Sequence, residues 1–532
     1  MKRLSLLFIL FHFSFLISHF SFSTASAQTP WAKKAAQAVF TLKTFDAGGS
    51  LLGSSNGFFV GENGEALSSF TPFKGAHRAV VIDAQGKEWP VECLMGANDM
   101  YDVAKFLVNV KKPTALTLAA SAADGSTAWM LPYAVKKTPE CVRGTVSSSE
   151  QFQGDYAYYT LAMQVSEQHA GCPVLNERGE VLGLLQPSAS AASASCYAVS
   201  ATFANDLRIG GLSQNDPALR STNIAKALPD KLEEAMLAVY MAATVMDAEQ
   251  YEELVNRFIQ KFPNAAEGYI YRARHAVAKG DFAAANADMQ QALKVDGKKD
   301  DTHYQFAQLI YQKELYQNGQ PFSDWSLDLA LEHSRKANSL NPQPVYVQQQ
   351  AQILFARQKY DEAYALYEQL LQTPLRDAAL FYAAAQCKLQ QGDKKVALAM
   401  LDSAVSTFTK PYIKTAAPYL RAHAQLSMDC RRYQLAINDM EAVVALEPNN
   451  AELWAEKGSY ELRVNLLDQA MTSARECLRL DPENSDGYLI LGVAQCLKGQ
   501  KQEGSEHLNK AKELGNSQAQ MLIEKYGDKR ER

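Results

Sequence analysis

The stretch AELWAEKGSYELRVNLLDQAMTSARECLRLDPENSDGYLILG, residues 451–492, decides the fold of the carboxy-terminal part of the chain. Trp454 stands four positions before Gly458, Ala470 twelve positions after it, and Asp481-Pro482 follows; Tyr488 and Gly492 then restart the series 34 residues on. The twelve-residue step recurs at Ala273 and Ala285, Ala351 and Ala363, Ala385 and Ala397, Ala424 and Ala436, and Gly492 and Gly504. A small residue at each such position lets two antiparallel helices approach closely. The bulky residue four positions before each pair (Tyr269, Val347, Phe381, Leu420, Trp454 or Tyr488) fills the gap to the next hairpin.

The steps Ala351 to Ala385, Ala424 to Gly458 and Gly458 to Gly492 are all 34 residues, and this part of the chain resembles the tetratricopeptide repeats, which have that period. Asn341-Pro342, Glu447-Pro448 and Asp481-Pro482 end helices between repeats. Extra residues near 316–324 and 407–412 read as loop insertions. A weaker unit precedes Phe262-Pro263, so residues 226–526 are expected to form an all-α solenoid of about seven repeats with a charged capping end. The resemblance implies a groove lined by the first helix of each repeat. Carried over by position, that groove holds Arg274, Gln348, Gln352, Tyr382, Gln386, Arg421, Gln425 and Arg463, a set suited to a peptide's backbone amides and acidic groups.

Outward from this array the texture changes. Gly210-Gly211 and the polar run to Asp216-Pro217 read as a linker, residues 211–225. Before it, residues 32–210 show short apolar runs at Ala38–Leu42, Gly57–Val60, Ala79–Ile82, Val103–Val108 and Val181–Leu185. Turn signals such as Glu62-Asn63-Gly64, Ala84-Gln85-Gly86 and Glu177-Arg178-Gly179 separate them, the signature of an all-β barrel or sandwich. Ser188–Ser195, almost purely Ser and Ala, reads as a surface loop.

Three ordered segments of this half resemble a trypsin-like serine peptidase of the HtrA type, which implies a double β-barrel. They are Gly53–Val60 with Asn63-Gly64 and Ala66–Ser69; Ala97–Ala104; and Gly171–Asn176 with Gly179–Gly183. The resemblance places Thr71 in the slot of the catalytic histidine, Asp102 in that of the aspartate and Ala170 in that of the serine nucleophile. Gln168 replaces a glycine of the oxyanion hole. Threonine cannot serve as a general base near neutral pH and alanine has no nucleophilic atom, so the expectation is a pseudopeptidase with no catalytic residues. The rival reading is an active serine or cysteine peptidase that uses Ser166 or Cys172, with His169 or His77 as base. Cys172 either packs in the interior or pairs with Cys196.

Composition bounds the rest. The 532 residues are 47% hydrophobic and 21% charged, with a net charge of -5, ordinary for a multidomain globular chain and unlike a nucleic-acid binder. Lys2-Arg3, the apolar stretch Leu4–Phe22 and Ala25-Ser26-Ala27 read as a signal peptide over residues 1–27, with an uncleaved anchor as the alternative. An exported, periplasmic or secreted protein follows, without a membrane span after cleavage. The eight cysteines include no Cys-x-x-Cys pair, and neither metal nor cofactor is expected. Protein or peptide partners are expected, and no oligomeric state is implied.

Overall fold

A computed structural model describes residues 29–152, 156–186, 195–296 and 299–526. The expected signal peptide, residues 188–194 of the Ser/Ala run and the last six residues lie outside the described part. The chain divides into two compact units, 1–263 and 264–532.

Among the described residues the first unit holds two closed barrels of six strands. The first runs in the order β1 (Val39–Phe45), β2 (Leu51–Phe59), β3 (Glu65–Ser68), β6 (Val103–Val108), β5 (Glu88–Asn98) and β4 (Arg78–Ile82). The second runs β10 (Pro173–Leu175), β11 (Val181–Leu185), β12 (Ser195–Ser200), β9 (Tyr156–Ala162), β8 (Val142–Phe152) and β7 (Thr127–Met130). Successive side chains of a strand face opposite sides, and β2 uses both. Phe59 enters the core of its own barrel with Phe40 and Phe106, while Phe58 enters a layer shared with Leu175, Val181 and Val199 of the second barrel. This double burial explains why Phe58-Phe59-Val60 reads as a continuous apolar run rather than an alternation.

The segment read as a linker is bonded to the first barrel. Gly75 N–H donates to Ser221 O, Asn223 N–H to Ala76 O, Leu94 N–H to Ala225 O and Ala227 N–H to Leu94 O, at 2.7–2.8 Å. Two helices, Leu232–Ala242 and Ala248–Lys261, complete the unit.

Among the described residues the second unit is a succession of seven helical hairpins, from Ala266–Lys279 with Phe282–Val295 to Ser485–Leu497 with Lys501–Glu513. Its small residues are fully buried at Ala273, Ala285, Ala351, Ala363, Ala424 and Ala436. At Gly492 an added Cβ would lie 2.8 Å from the Gly504 carbonyl oxygen, so this hairpin closes more tightly than alanine permits. The expected insertions fall in the connections after Tyr316 and Ser406. Asp281, Ser326, Asp377, Asp393, Asn450 and Asn484 cap helix starts through their side chains. Cys387, Cys477 and Cys496 are buried among apolar side chains, and Cys430 is half-buried.

One buried polar cluster is charged. His423 Nδ1 lies 2.7 Å from Asp439 Oδ2 and its Nε2 lies 2.9 Å from Asp402 Oδ1. Both carboxylates only accept, so both ring nitrogens must donate and the ring is an imidazolium. Burial opposes that charge, but the two aspartates outweigh it and hold the pKa above the ordinary 6.5. A raised folded-state pKa contributes stability that is complete below about pH 6.5 and is lost as pH rises through the folded value. His423→Ala should cost about 1–3 kcal/mol in denaturant titration at pH 6, because it removes the partner of the half-buried Asp439 carboxylate, and the difference from wild type should shrink at pH 9.

Candidate functional site

Asp102 lies on the loop between β5 and β6 with a left-handed backbone, φ 49°, a conformation that Asp tolerates better than most residues. Its Oδ1 accepts the Thr71 N–H at 2.6 Å and its carbonyl accepts the Phe70 N–H at 3.3 Å. Thr71 opens the one-turn 3-10 helix Thr71–Phe73 directly after β3. Asp102 is thus joined to the main chain of Thr71 and caps this turn.

Ala170 ends another 3-10 turn, Glu167–His169. Its N–H donates to Glu167 O at 3.0 Å, so this amide is spent inside the turn. Its carbonyl accepts three donors from β2: Asn56 N at 3.0 Å, Asn56 Nδ2 at 3.1 Å and Ser55 Oγ at 3.2 Å. Asn56 Nδ2 also donates to Gln168 O at 2.7 Å, and Asn56 O accepts Ser68 Oγ at 2.6 Å. Gly171 then turns through φ 80°, where a Cβ would lie 2.0 Å from Asn56 O. The chain therefore ties Thr71 to Asp102 and ties Ala170 to Asn56, which in turn holds Ser68, three residues before Thr71. Asn56 was not singled out in the sequence, although its place within Gly53–Val60 was.

The residues named for an active peptidase are placed as follows. Cys172 is fully buried in the second barrel's core together with Cys196. Burial pushes its thiol up to about 12 and that of Cys196 to about 11, so neither is a thiolate near neutral pH. Of the two expectations for Cys172, packing holds: both cysteines are free. His77 is exposed beside β4, with Nδ1 3.3 Å from Gly75 O. Ser166 and His169 do meet, with Ser166 Oγ 3.1 Å from His169 Nδ1, which also accepts the Ser166 N–H at 3.2 Å. Burial lowers the His169 pKa, keeping the ring neutral.

Beside Asp102 a cleft of about 310 Å³ is lined by Met100, Tyr101, Glu150, Phe152, Tyr158 and Gln186, among others. Tyr101 packs on Phe152 at 4.3 Å between ring centroids. The cleft offers aromatic faces and one carboxylate to an apolar or basic side chain.

In the helical unit, Arg274, Gln352, Arg421, Gln425 and Arg463 are exposed, and Gln348, Tyr382 and Gln386 are half-buried. Two of the cations have partners one repeat on: Arg274 donates to Gln305, and Arg421 Nε pairs with Glu456 at 2.6 Å. Tyr382 makes an edge contact with Tyr419 at 5.9 Å.

Residues 55–184 match the family described as trypsin-like peptidase domain, and residues 349–412 and 421–485 match the tetratricopeptide repeat family. Over 106 residues the chain is 27% identical to small glutamine-rich tetratricopeptide repeat-containing protein 2 of Saccharomyces cerevisiae. That match spans 20% of this chain and 31% of the relative. Similar solved structures include a serine-to-alanine mutant of Rv3671c from M. tuberculosis in its inactive form, at 19% identity and TM-score 0.29, covering 35% of this chain and 91% of the other. The HtrA-type protease AlgW with a tripeptide is another, at 21% identity and TM-score 0.28, covering 33% of this chain and 60% of the other.

Gly171→Ala should destabilise the first unit by at least about 2 kcal/mol, through positive φ and the clash with Asn56 O. Urea unfolding followed by tryptophan fluorescence measures it, and an unchanged midpoint would refute the assigned loop geometry.

Proposed function

We propose that this chain, which joins a trypsin-like peptidase domain to tetratricopeptide repeats, is an exported polypeptide-binding protein without peptidase activity. The observation that carries the proposal is the state of Ala170. The residue that the sequence resemblance puts in the nucleophile slot has no reactive atom, and its N–H, which could stabilise an oxyanion, is donated to Glu167 O. Thr71, which the same resemblance puts in the base slot, offers Asp102 a main-chain N–H. The signal-like residues 1–27 support export, and no helix among the described residues is long and apolar enough to cross a membrane.

Binding is then the remaining role. Tetratricopeptide repeats serve protein–protein interaction, and the half-buried Tyr382 and Gln386 supply a rigid ring and an amide to a peptide backbone. An acidic peptide must compete with Glu456 for Arg421, which favours partners whose amide and apolar contacts supplement their charge. On an immobilised peptide array, the double variant Tyr382→Ala, Gln386→Ala should lose at least tenfold in signal for peptides that wild type retains, about 1.4 kcal/mol or more. Equal retention by the variant excludes these residues as the peptide site.

The second reading is an active serine peptidase built on the Ser166–His169 contact. A fluorophosphonate probe separates the two. The intact protein should remain unlabelled, whereas labelling that disappears in Ser166→Ala would establish the peptidase.

A further inference from the structure

The bonded segment and the helix Ala248–Lys261 enclose a second cleft in the first unit, of about 300 Å³, remote in sequence from Thr71, Asp102 and Ala170. Three cations line it, Arg220, Lys226 and Arg257, against one carboxylate, Glu253; Met246 and Leu254 contribute apolar wall. Arg257 joins the two walls by donating Nη1–H to Lys226 O at 3.2 Å. Its Nε is buried and has no hydrogen-bond partner. A buried charged donor left without an acceptor is costly, and a guanidinium in the wall of a cleft is well matched to an oxyanion. Lys226 Nζ spends one proton on Thr222 O at 2.7 Å, which leaves two for another acceptor.

We propose that this cleft binds an organic carboxylate, its oxygens on Arg257 and Lys226 and its apolar stem against Met246 and Leu254. The cavity is at the small end of ligand sites, enough for one amino-acid residue or a short-chain acid. The excess of cations calls for an anion, and the apolar wall calls for a stem that inorganic phosphate lacks. Lys226 bears the mark of the uncompensated charge: burial, then the neighbouring Arg257, pull its pKa down to about 8. A bound carboxylate reverses that shift. This inference is independent of the tetratricopeptide groove and of the state of Ala170.

Calorimetry on the full-length chain at pH 7 tests it with four probes: N-acetyl-leucine, N-acetyl-leucinamide, a pentapeptide ending in a free leucine carboxylate, and inorganic phosphate. The two carboxylates should bind; the amide should not, and phosphate should bind at least tenfold more weakly. A pentapeptide tighter than the free acid identifies a chain terminus as the source, and equal affinities identify a small acid. Arg257→Lys, which keeps a cation but loses the fork, and Lys226→Met should each lose at least tenfold while melting as cooperatively as wild type.

Should a variant fail to fold, the pH profile of wild type decides. Affinity should fall as pH rises through about 8 and Lys226 loses its proton. The other charged groups around Lys226 are Arg220, Arg257, Lys261, Glu92 and Glu253, and burial holds the Cys93 thiol up at about 11. Equal binding of acid and amide, phosphate as tight as the acid, unaltered affinity in both folded variants, or a flat profile from about pH 7 to about pH 9.5 would each overturn the proposal.

Discussion

The carbonyl of Ala170, held by three donors from β2, is the contact on which the first unit depends. A buried amide such as Asn56 is tolerated when its polar atoms are paired, and here its Nδ2 is paired across the seam between the two barrels, to Gln168 O and Ala170 O. With that oxygen fixed, Gly171 has to turn through positive φ, Cys172 is directed into the second core, and Pro173 begins β10. The layer of Phe58, Leu67, Leu175 and Val181 then closes over the seam. The turn that satisfies these demands also absorbs the Ala170 amide, so the cohesion of the barrels and the closed state of the loop share one cause.

What the sequence made legible follows from what is locally enforced. Close helix approach demands a small residue at the same place in every hairpin, so Ala273 through Gly492 announce the solenoid by spacing alone. Turn chemistry likewise marks the β-hairpins at Asn63-Gly64 and Arg178-Gly179. The aromatic cleft is assembled from residues such as Tyr101, Phe152 and Gln186 on separate elements, and no spacing rule joins them. The stretch 211–225 reads as a linker because it meets the barrel through main-chain hydrogen bonds and two isolated apolar side chains, Leu219 and Ile224, too few to set a periodicity. Arg421 is different: its partner Glu456 lies 35 positions on, about one repeat, so comparing equivalent positions of adjacent repeats would have found it.

That offset is general in the helical unit. Gln391 reaches back to Asp361, Lys394 pairs with Asp429, and Asn516 reaches back to Asp486, all 30–35 residues apart. Exposed pairs of this kind contribute little individually. Their effect is to register neighbours whose main cohesion is apolar, while His423 and the buried Glu461, paired with Lys457 and Ser473, add charge inside the stack.

The bond between Leu94 and the Ala225–Ala227 segment has a temporal side. A chain threaded amino-terminus first exposes the Leu94 edge of β5 more than a hundred residues before its partner emerges. Throughout that interval the first barrel carries an unpaired backbone edge, the kind of surface that recruits foreign strands. The helical hairpins that follow close locally as they appear, so the period of greatest risk for a nascent molecule ends when Lys226 arrives, with more than half of the chain still to come.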